Sequence, residues 1–577
     1  MFDFKNNWQK ITTFFRFQNQ VIKSMPTSIR LGFFVLLLIV TVSAIMILAN
    51  INNRFLVSVP KAGGILHEGL IEPPRFINPI LAFSNSDRDL VALVYSGLVR
   101  KTAAGEFIPD LADNYKISDD GATYTVTLKD NIYFHNGKKV TADDVVWTVK
   151  LVQDPILKSP QKIRWEGLTV DKIDDKTVEF KLTKSYAFFL ENLTLGILSK
   201  QLFEKTPIEQ MSFSPYNLEA VGSGPFEINK IKKDSTGVVK EIELGSFRRF
   251  AQGAPFIKNY FFHFFTNESN LLSAIKKGEV SQAASLSANN ILILKNNRYR
   301  IETAVLPRIF GLFPNQNKAE IFTDRNVLKA IRLAINKDQI VSDVLQGFGI
   351  AIDSAVPDDI IGDKLDSSNN KDEAEQILTR AGYEINKDGI REKKAKSKKE
   401  KNQKLAFAIA TADTPELKKT AEFIKEDLTK IGAEVEIKVF EIGDLNQNVI
   451  RPRDYDLLLF GQVLNNPGDL FSFWHSTQRN SPGLNIANYT NIKADKLLEE
   501  ILTILDEKER QKKLDELEEE IKKDEAAIFL YSPNFTYVMN KNLSGVTLPK
   551  IGNSNERFAE VYKWYLETEN IWKVFIK

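Results

Sequence analysis

The chain contains no cysteine among its 577 residues. Disulfides, thiolate-bound metals, a cysteine nucleophile and a lipid-modified N-terminal cysteine are therefore excluded. Histidine is almost as scarce. His67, His135, His263 and His475 lie far apart and no metal-ligand spacing accompanies them, so no metal is expected. An excess of either charge is missing as well. Basic side chains number 77 against 75 acidic ones, a net charge of +2, which leaves no basic field to hold nucleic acid. Neither a Gly-x-Ser-x-Gly elbow nor a His-Glu-x-x-His helix occurs, so hydrolysis is not expected, and no catalytic residue or cofactor is indicated.

What is present is enough apolar residue for large cores. Hydrophobic residues make up 43% and charged residues 26%, within the range of folded domains. The length allows about two to four ordinary domains or one large two-lobed body. One apolar run stands apart: no charge occurs from Leu31 to Asn53, and LGFFVLLLIVTVSAIMILA (31–49) is nearly all hydrocarbon. At ~1.5 Å per helical residue such a run crosses a bilayer core of ~30 Å. A cleavable signal has a shorter apolar stretch, ~7–15 residues, and ends in a small-x-small site; Ile47 and Ala49 fit that poorly. We therefore expect a retained transmembrane anchor over 31–53. The basic segment 1–30 before it carries Lys5, Lys10, Arg16, Lys23 and Arg30 against Asp3 alone, a bias that keeps it cytoplasmic and sends the rest outside. Its aromatics, such as Trp8 and Phe14, suit either the inner membrane face or a floppy tail.

Beyond Pro60, short apolar strands alternate with turns and helices, without a fixed-period repeat. GATYTVTLKDNIYFHNGKKV (121–140) alternates with period two through Tyr124, Val126 and Leu128, and turns are marked at Asp120-Gly121 and Asn136-Gly137. Thr141 then caps a helix with Asp143 and Asp144 in its first turn, Val145, Val149 and Val152 on one face, and Asp154-Pro155 as its stop. Helical spacing recurs over 323–347, 372–383 and 415–434, and a long charged amphipathic helical stretch is expected over 493–525. Strands are expected over 435–441, 455–463 and 526–533. The basic run REKKAKSKKEKNQK (391–404) reads as a solvated loop, or as a contact for anionic lipid or a partner.

Several separated blocks agree with one family. DDGATYTVTLKDNIYFHNGKKVTADDVVWTV (119–149), VGSGPFEI (221–228), GSFRRFAQGAPFIKNYFF (245–262), IKKGEV (275–280), FTDRNVLKAIRLAINKDQIVSDVLQGFG (322–349) and IANYTNIKADKLLEE (486–500) follow its order and spacing. Over about residues 62–565 the chain resembles the family 5 extracellular solute-binding proteins, the peptide, oligopeptide and nickel receptors of ABC importers. The resemblance implies an α/β, periplasmic-binding-protein-like fold of two lobes that close over a ligand about a hinge. It implies a first lobe over 62–310 and 535–577, with an extra subdomain at about 91–215, and a second lobe over 311–534. Hinge crossings are implied near Phe310–Asn315 and Tyr531–Phe535. The implied partners are a peptide or small polar ligand, ABC permease subunits and, through the anchor, a membrane; the receptor is expected to be a monomer. A receptor that has lost nutrient binding and serves as a tethered sensor or surface scaffold is the alternative.

The resemblance also nominates residues. Peptide-binding members carry a Trp and an ammonium-binding Asp after the strand that ends near Gly461. Gln462 stands at the Trp position and Asn465 at the Asp position in NNPGDLFSFW (465–474). Asn465 keeps an acceptor but lacks the charge. Asp469 is then either a substitute carboxylate or a helix N-cap for LFSFW. Phe471, Phe473 and Trp474 are core residues, or Trp474 is a wall of the ligand site. At the other rim, HEGLIEPPRFINP (67–79) offers Glu72 as the matching acid and Asn78 where Asp is common, while Asn315 follows the hinge strand. His135, inside the signature hairpin, is expected to be structural.

Overall fold

The structure is a computed structural model, which describes residues 21–294, 298–356, 369–395, 402–548 and 551–575. The chain divides into two units, residues 1–61 with 567–577, and residues 62–566.

The first unit is a helix and a two-stranded ribbon. The helix Thr27–Phe55 has 29 residues, roughly 43 Å at 1.5 Å per residue. Every residue from Leu31 to Asn50 is exposed, so its apolar surface finds no partner among the described residues. Strand Leu56–Lys61 leaves the helix and pairs antiparallel with Glu567–Trp572, in register from Leu56↔Trp572 to Lys61↔Glu567. The expectations for the first 20 residues lie outside the described residues.

The second unit is mixed α/β and holds two large cores. One runs from Leu66 to Leu306 and returns from Phe535 to Trp564; the other is drawn from Ile309 to Tyr531. A third, small cluster packs around Leu271, Ile275 and Val538. A single ladder of twelve strands threads both large cores. Its centre is the long strand Ile528–Asn540, which pairs with Arg308–Pro314 at Phe310↔Tyr531 and with Tyr299–Val305 at Val305↔Asn534. The chain therefore passes between the cores twice, at 306–309 and at 531–535, on adjacent strands. Leu306 N donates to Pro533 O at 3.1 Å at this point.

The hairpin and helix of 121–153 form as their pattern dictates. In strand Thr123–Leu128 the alternate residues Tyr124, Val126 and Leu128 are buried, and Gly121 and Gly137 supply the positive-φ turn residues. Helix Ala142–Gln153 starts with a capping box between Thr141 and Asp144 and buries Val145, Val149 and Val152. His135 is structural. Gly222 N donates to its Nδ1 at 3.3 Å, and its Nε2 contacts Gly224 O at 3.1 Å, which fixes one neutral tautomer. Burial lowers its pKa to about 4.

Three expectations are refined. The helix expected over 323–347 is two, Arg325–Ala334 and Lys337–Asp343, because Asn336 turns out of the first and caps the second. The long charged helical stretch over 493–525 consists of two helices, Ile492–Thr503 and Glu507–Lys523, with Asp506 capping the second. The basic run is not wholly a solvated loop. Arg391 is 4% exposed and donates to Ile431 O, Thr379 Oγ1 and Tyr383 O, so it ties a strand to two helix ends; residues 396–401 lie outside the described residues.

Candidate ligand-binding junction

The two cores meet through polar groups carried by several segments, the second core also contributing residues 502–510. From the second core comes the loop 465–469. From the first come residues 185–191 and 551–556. Asn466 Nδ2 donates to the Glu191 carboxylate. Asn553 Nδ2 donates to Asn465 Oδ1 at 2.9 Å. Nearby, Ala187 N donates to Leu502 O at 2.8 Å, and Arg510 lies 5.2 Å over the Phe188 ring. Gly468 makes the approach possible, since a Cβ there would stand 2.8 Å from the Phe188 ring.

NNPGDLFSFW is explained by these contacts. Asp469 is the first residue of the short helix Asp469–Trp474, and the cap position belongs to Gly468. Its carboxylate accepts from Asn465 N at 2.7 Å and from Asn465 Nδ2 at 3.0 Å. The N-cap role is therefore corrected by one residue: the acid lies just past the cap and holds its own loop. Asn465 is committed on both sides, donating to Asp469 and accepting from Asn553. Trp474 is 1% exposed and packs edge-on against Tyr489 and Phe529. This matches the core-residue alternative for Trp474. Phe471 and Phe473 pack against the same core.

The remaining candidates are dispersed. Gly461 faces Phe310 in the ladder, and a Cβ would come 2.7 Å from that ring, which stacks on Tyr531 at 5.0 Å. Gln462 is buried at 5% exposure and points away from that surface, beside Ile309. Asn315 is 2% exposed; it donates to Arg453 O at 2.7 Å and accepts from Asn488 at 3.2 Å, so it fastens the second core internally. Glu72 is exposed with φ 67°, and only its backbone is engaged, N with Phe265 O and O with Ser86 Oγ. Among the described residues no bond joins Glu72 to the 461–475 segment. Asn78 is buried and pairs with Asn217.

Two charged residues that the sequence reading passed over are the chemically open ones. Glu191 sits in the apolar run AFFLENLTL (187–195). Burial raises its pKa above the ordinary carboxylate range, against the pull of Lys101 and Arg164. Arg308 sits in VLPRIFGLF (305–313) at the crossing between cores. It opposes Val463 in the ladder and shares a face with Phe310, Gly461 and Val463, since opposed residues in an antiparallel pair point the same way. Its Nε is buried without a partner, and the guanidinium joins no ion pair among the described residues. Burial lowers its pKa. The acceptor Asn534 Oδ1, on the strand Ile528–Asn540, is likewise buried and unpartnered. Both residues had a legible signal, a lone charge inside an apolar run.

Two α/β cores joined by adjacent strands, meeting through a polar junction with unmatched charges, define a two-lobed binding protein. The sequence model of the bacterial extracellular solute-binding proteins, family 5 Middle, matches residues 106–482, and the chain belongs to this family of extracytoplasmic binding proteins. It is 28% identical over 521 residues to the oligopeptide-binding protein AppA of Bacillus subtilis (strain 168), covering 88% of this chain and 92% of that protein. The solved structure of that AppA, in complex with a nonapeptide, superposes with a TM-score of 0.66 at 27% identity, covering 88% of this chain and all of the other. The ABC transporter substrate-binding protein CtaP of Listeria monocytogenes, at 22% identity, has the same fold, with a TM-score of 0.74 over 88% of this chain and 100% of that one.

Proposed function

We propose that this protein captures a peptide-like or other small polar solute between its lobes and delivers it to an ABC importer, without catalysis of its own. Membership of the solute-binding family and the nonapeptide bound in the structure of the AppA relative support this reading. The observation that carries it is the pair of half-buried charges near the crossing between cores: Glu191, bonded to Asn466 of the loop 465–469, and Arg308, opposite Val463 in the ladder, neither in an ion pair among the described residues. A ligand with an ammonium for Glu191 and an anionic or carbonyl group for Arg308 replaces the charge that Asn465 lacks. Charge-assisted bonds of this kind contribute about 1.5–3 kcal/mol each.

In this reading the lobes are 62–310 with 535–577, and 311–534. Opening and closing turn on the paired crossings at 306–309 and 531–535. A ligand shifts that equilibrium only by binding the closed form more tightly; here it must also replace the Asn553–Asn465 and Asn466–Glu191 bonds. Those bonds, which close the junction with the protein's own side chains, also favour the second reading, a tethered sensor or scaffold. The helix Thr27–Phe55 acts as a retained anchor in either case. Trp572 stacks on Phe55 and bonds Asn52, contacts that removal of the helix would abolish.

The test is isothermal titration of the purified full chain with defined di- to octapeptides. Saturable binding that weakens tenfold or more in Glu191→Gln or Arg308→Gln is the expected result. Absence of binding by every peptide, together with a pull-down lacking any permease, would favour the scaffold.

A further inference from the structure

The ribbon next to the helix has an uneven surface. Because the two strands are antiparallel, Leu56–Lys61 runs away from the helix and Glu567–Trp572 runs back to it. Five residues at ~3.3 Å each separate the two ends of the returning strand by about 17 Å. Its acids, Glu567 and Glu569, pair with Lys61 and Val59 at the far end, whereas Trp572 pairs with Leu56 where the helix stops. There the indole stacks on Phe55 with centroids 6.2 Å apart, and its Nε1 donates to Asn52 Oδ1 at 2.8 Å. The chain continues as a short 3-10 turn, Lys573–Phe575. In this turn Val574 is 80% and Phe575 73% exposed, and Trp572 before it is 47% exposed. Among the described residues, the charges next to them in the sequence and at the helix end are Lys573 and Arg54.

We propose that Trp572, Val574 and Phe575 form a second membrane contact, entering the phospholipid interface on the outer side next to the anchor helix. This rests on the anchor reading given above. The occupant follows from placement. Asn52 closes the apolar span and marks the level at which the helix leaves the hydrocarbon, and Trp572 is bonded to it. Tryptophan favours that level of a bilayer because its ring is apolar while its N–H needs a polar partner. The two cations match lipid phosphates, and the acids lie at the other end of the strand. Residues 572–575 thereby hold the ribbon to the bilayer by both of its strands, so that the helix is not a free swivel.

The absence of cysteine lets single spin labels report depth. Full-length Val574→Cys and Phe575→Cys proteins are labelled in phosphatidylethanolamine–phosphatidylglycerol bilayers, with Ile39→Cys in the helix and Ser235→Cys on an exposed turn as references. The expected result is that oxygen relaxes the labels at 574 and 575 several-fold more than a water-soluble nickel chelate does, as at 39, with the reverse at 235. Labels at 574 and 575 that behave like the one at 235 overturn the proposal while leaving the anchor intact. Label–label broadening at 574 and 575 also overturns it, because a second copy of the chain then covers the patch. A label at 39 that reports water overturns the anchor reading, and the contact with it.

Discussion

Around Arg557, three charged groups lie out of water with every valence met; at the junction, Glu191 and Arg308 are half-buried and neither forms an ion pair among the described residues. Arg557, Glu68 and Asp89 are 0%, 0% and 2% exposed. The guanidinium donates to Asp89 Oδ1 at 2.9 Å and Oδ2 at 2.7 Å, to Glu68 Oε1 at 2.6 Å and to Ser554 O at 2.6 Å, and it sits 3.9 Å over the Phe558 ring. Tyr537 donates to the other oxygen of Glu68 at 2.9 Å, and Tyr260 joins it there. Such a cluster is finished: it locks the helix Asn85–Val94, the strand Gly63–Ile71 and the returning segment 554–558 into one piece, and it has nothing to offer a ligand. The junction has the opposite economy. Partial burial without an ion pair weakens the resting protein there, although Asn466, Lys101 and Arg164 offset part of it at Glu191, and a ligand of opposite charge would relieve the rest.

The comparison breaks most visibly at Arg557. Arg557→Leu leaves two buried carboxylates facing each other and is expected to cost about 3–5 kcal/mol, read as a large drop in the urea unfolding midpoint. A loss below 1 kcal/mol would mean that water already reaches the cluster. Next in size is an acid effect on another finished site. His135 is held neutral, with its native pKa near 4 against an ordinary 6.5. Its contribution is therefore full above pH 6.5 and is lost as pH falls toward 4, about 3 kcal/mol in all. Urea melts of wild type and His135→Gln should converge across that window.

At the junction the signs invert. Arg308→Gln and Glu191→Gln should each weaken peptide binding about 10–100-fold, the equivalent of one charge-assisted bond, while leaving the empty protein as stable as wild type or more so. Glu191 has its own pH signature. A carboxyl with a raised native pKa contributes stability that is full below the ordinary carboxylate range and is lost as pH rises through the raised value. Glu191→Gln should flatten that slope in melts without peptide. The smallest effect is expected at Asn465. Asn465→Asp sets a second acid against Asp469, where the amide now donates at 3.0 Å, so it should cost about 1–2 kcal/mol and bring no gain in peptide affinity by calorimetry.

Much of the architecture was legible because it rests on local periodicity. The alternation through Tyr124, Val126 and Leu128, the Thr141 cap and the turn glycines each specify one geometry. The helix breaks at Asn336 and Asp506 were not legible, since both residues are polar in otherwise uninterrupted helical patterns and reveal themselves as caps only by their hydrogen bonds. Side-chain commitments around the candidate site were less legible. Analogy placed weight on Asn465, Asp469 and Trp474, whose side chains are spent on loop and core. It nominated Glu72, an exposed acid, and did not single out Glu68, which shares the buried face of its strand with Leu66 and Leu70. The informative signal was a charge where the pattern demands an apolar residue. Glu68, Glu191 and Arg308 all carry it, and only tertiary contacts separate the satisfied one from the two that are open.

The most direct test is a thermal-unfolding screen of the full chain with di- to octapeptides, run in parallel on wild type and the Glu191→Gln/Arg308→Gln double variant. At least one peptide should raise the wild-type midpoint, and that rise should vanish in the double variant although its unliganded midpoint is not lowered. An equal rise in both proteins, or none in either, would contradict the assignment of the unmatched charges to a ligand.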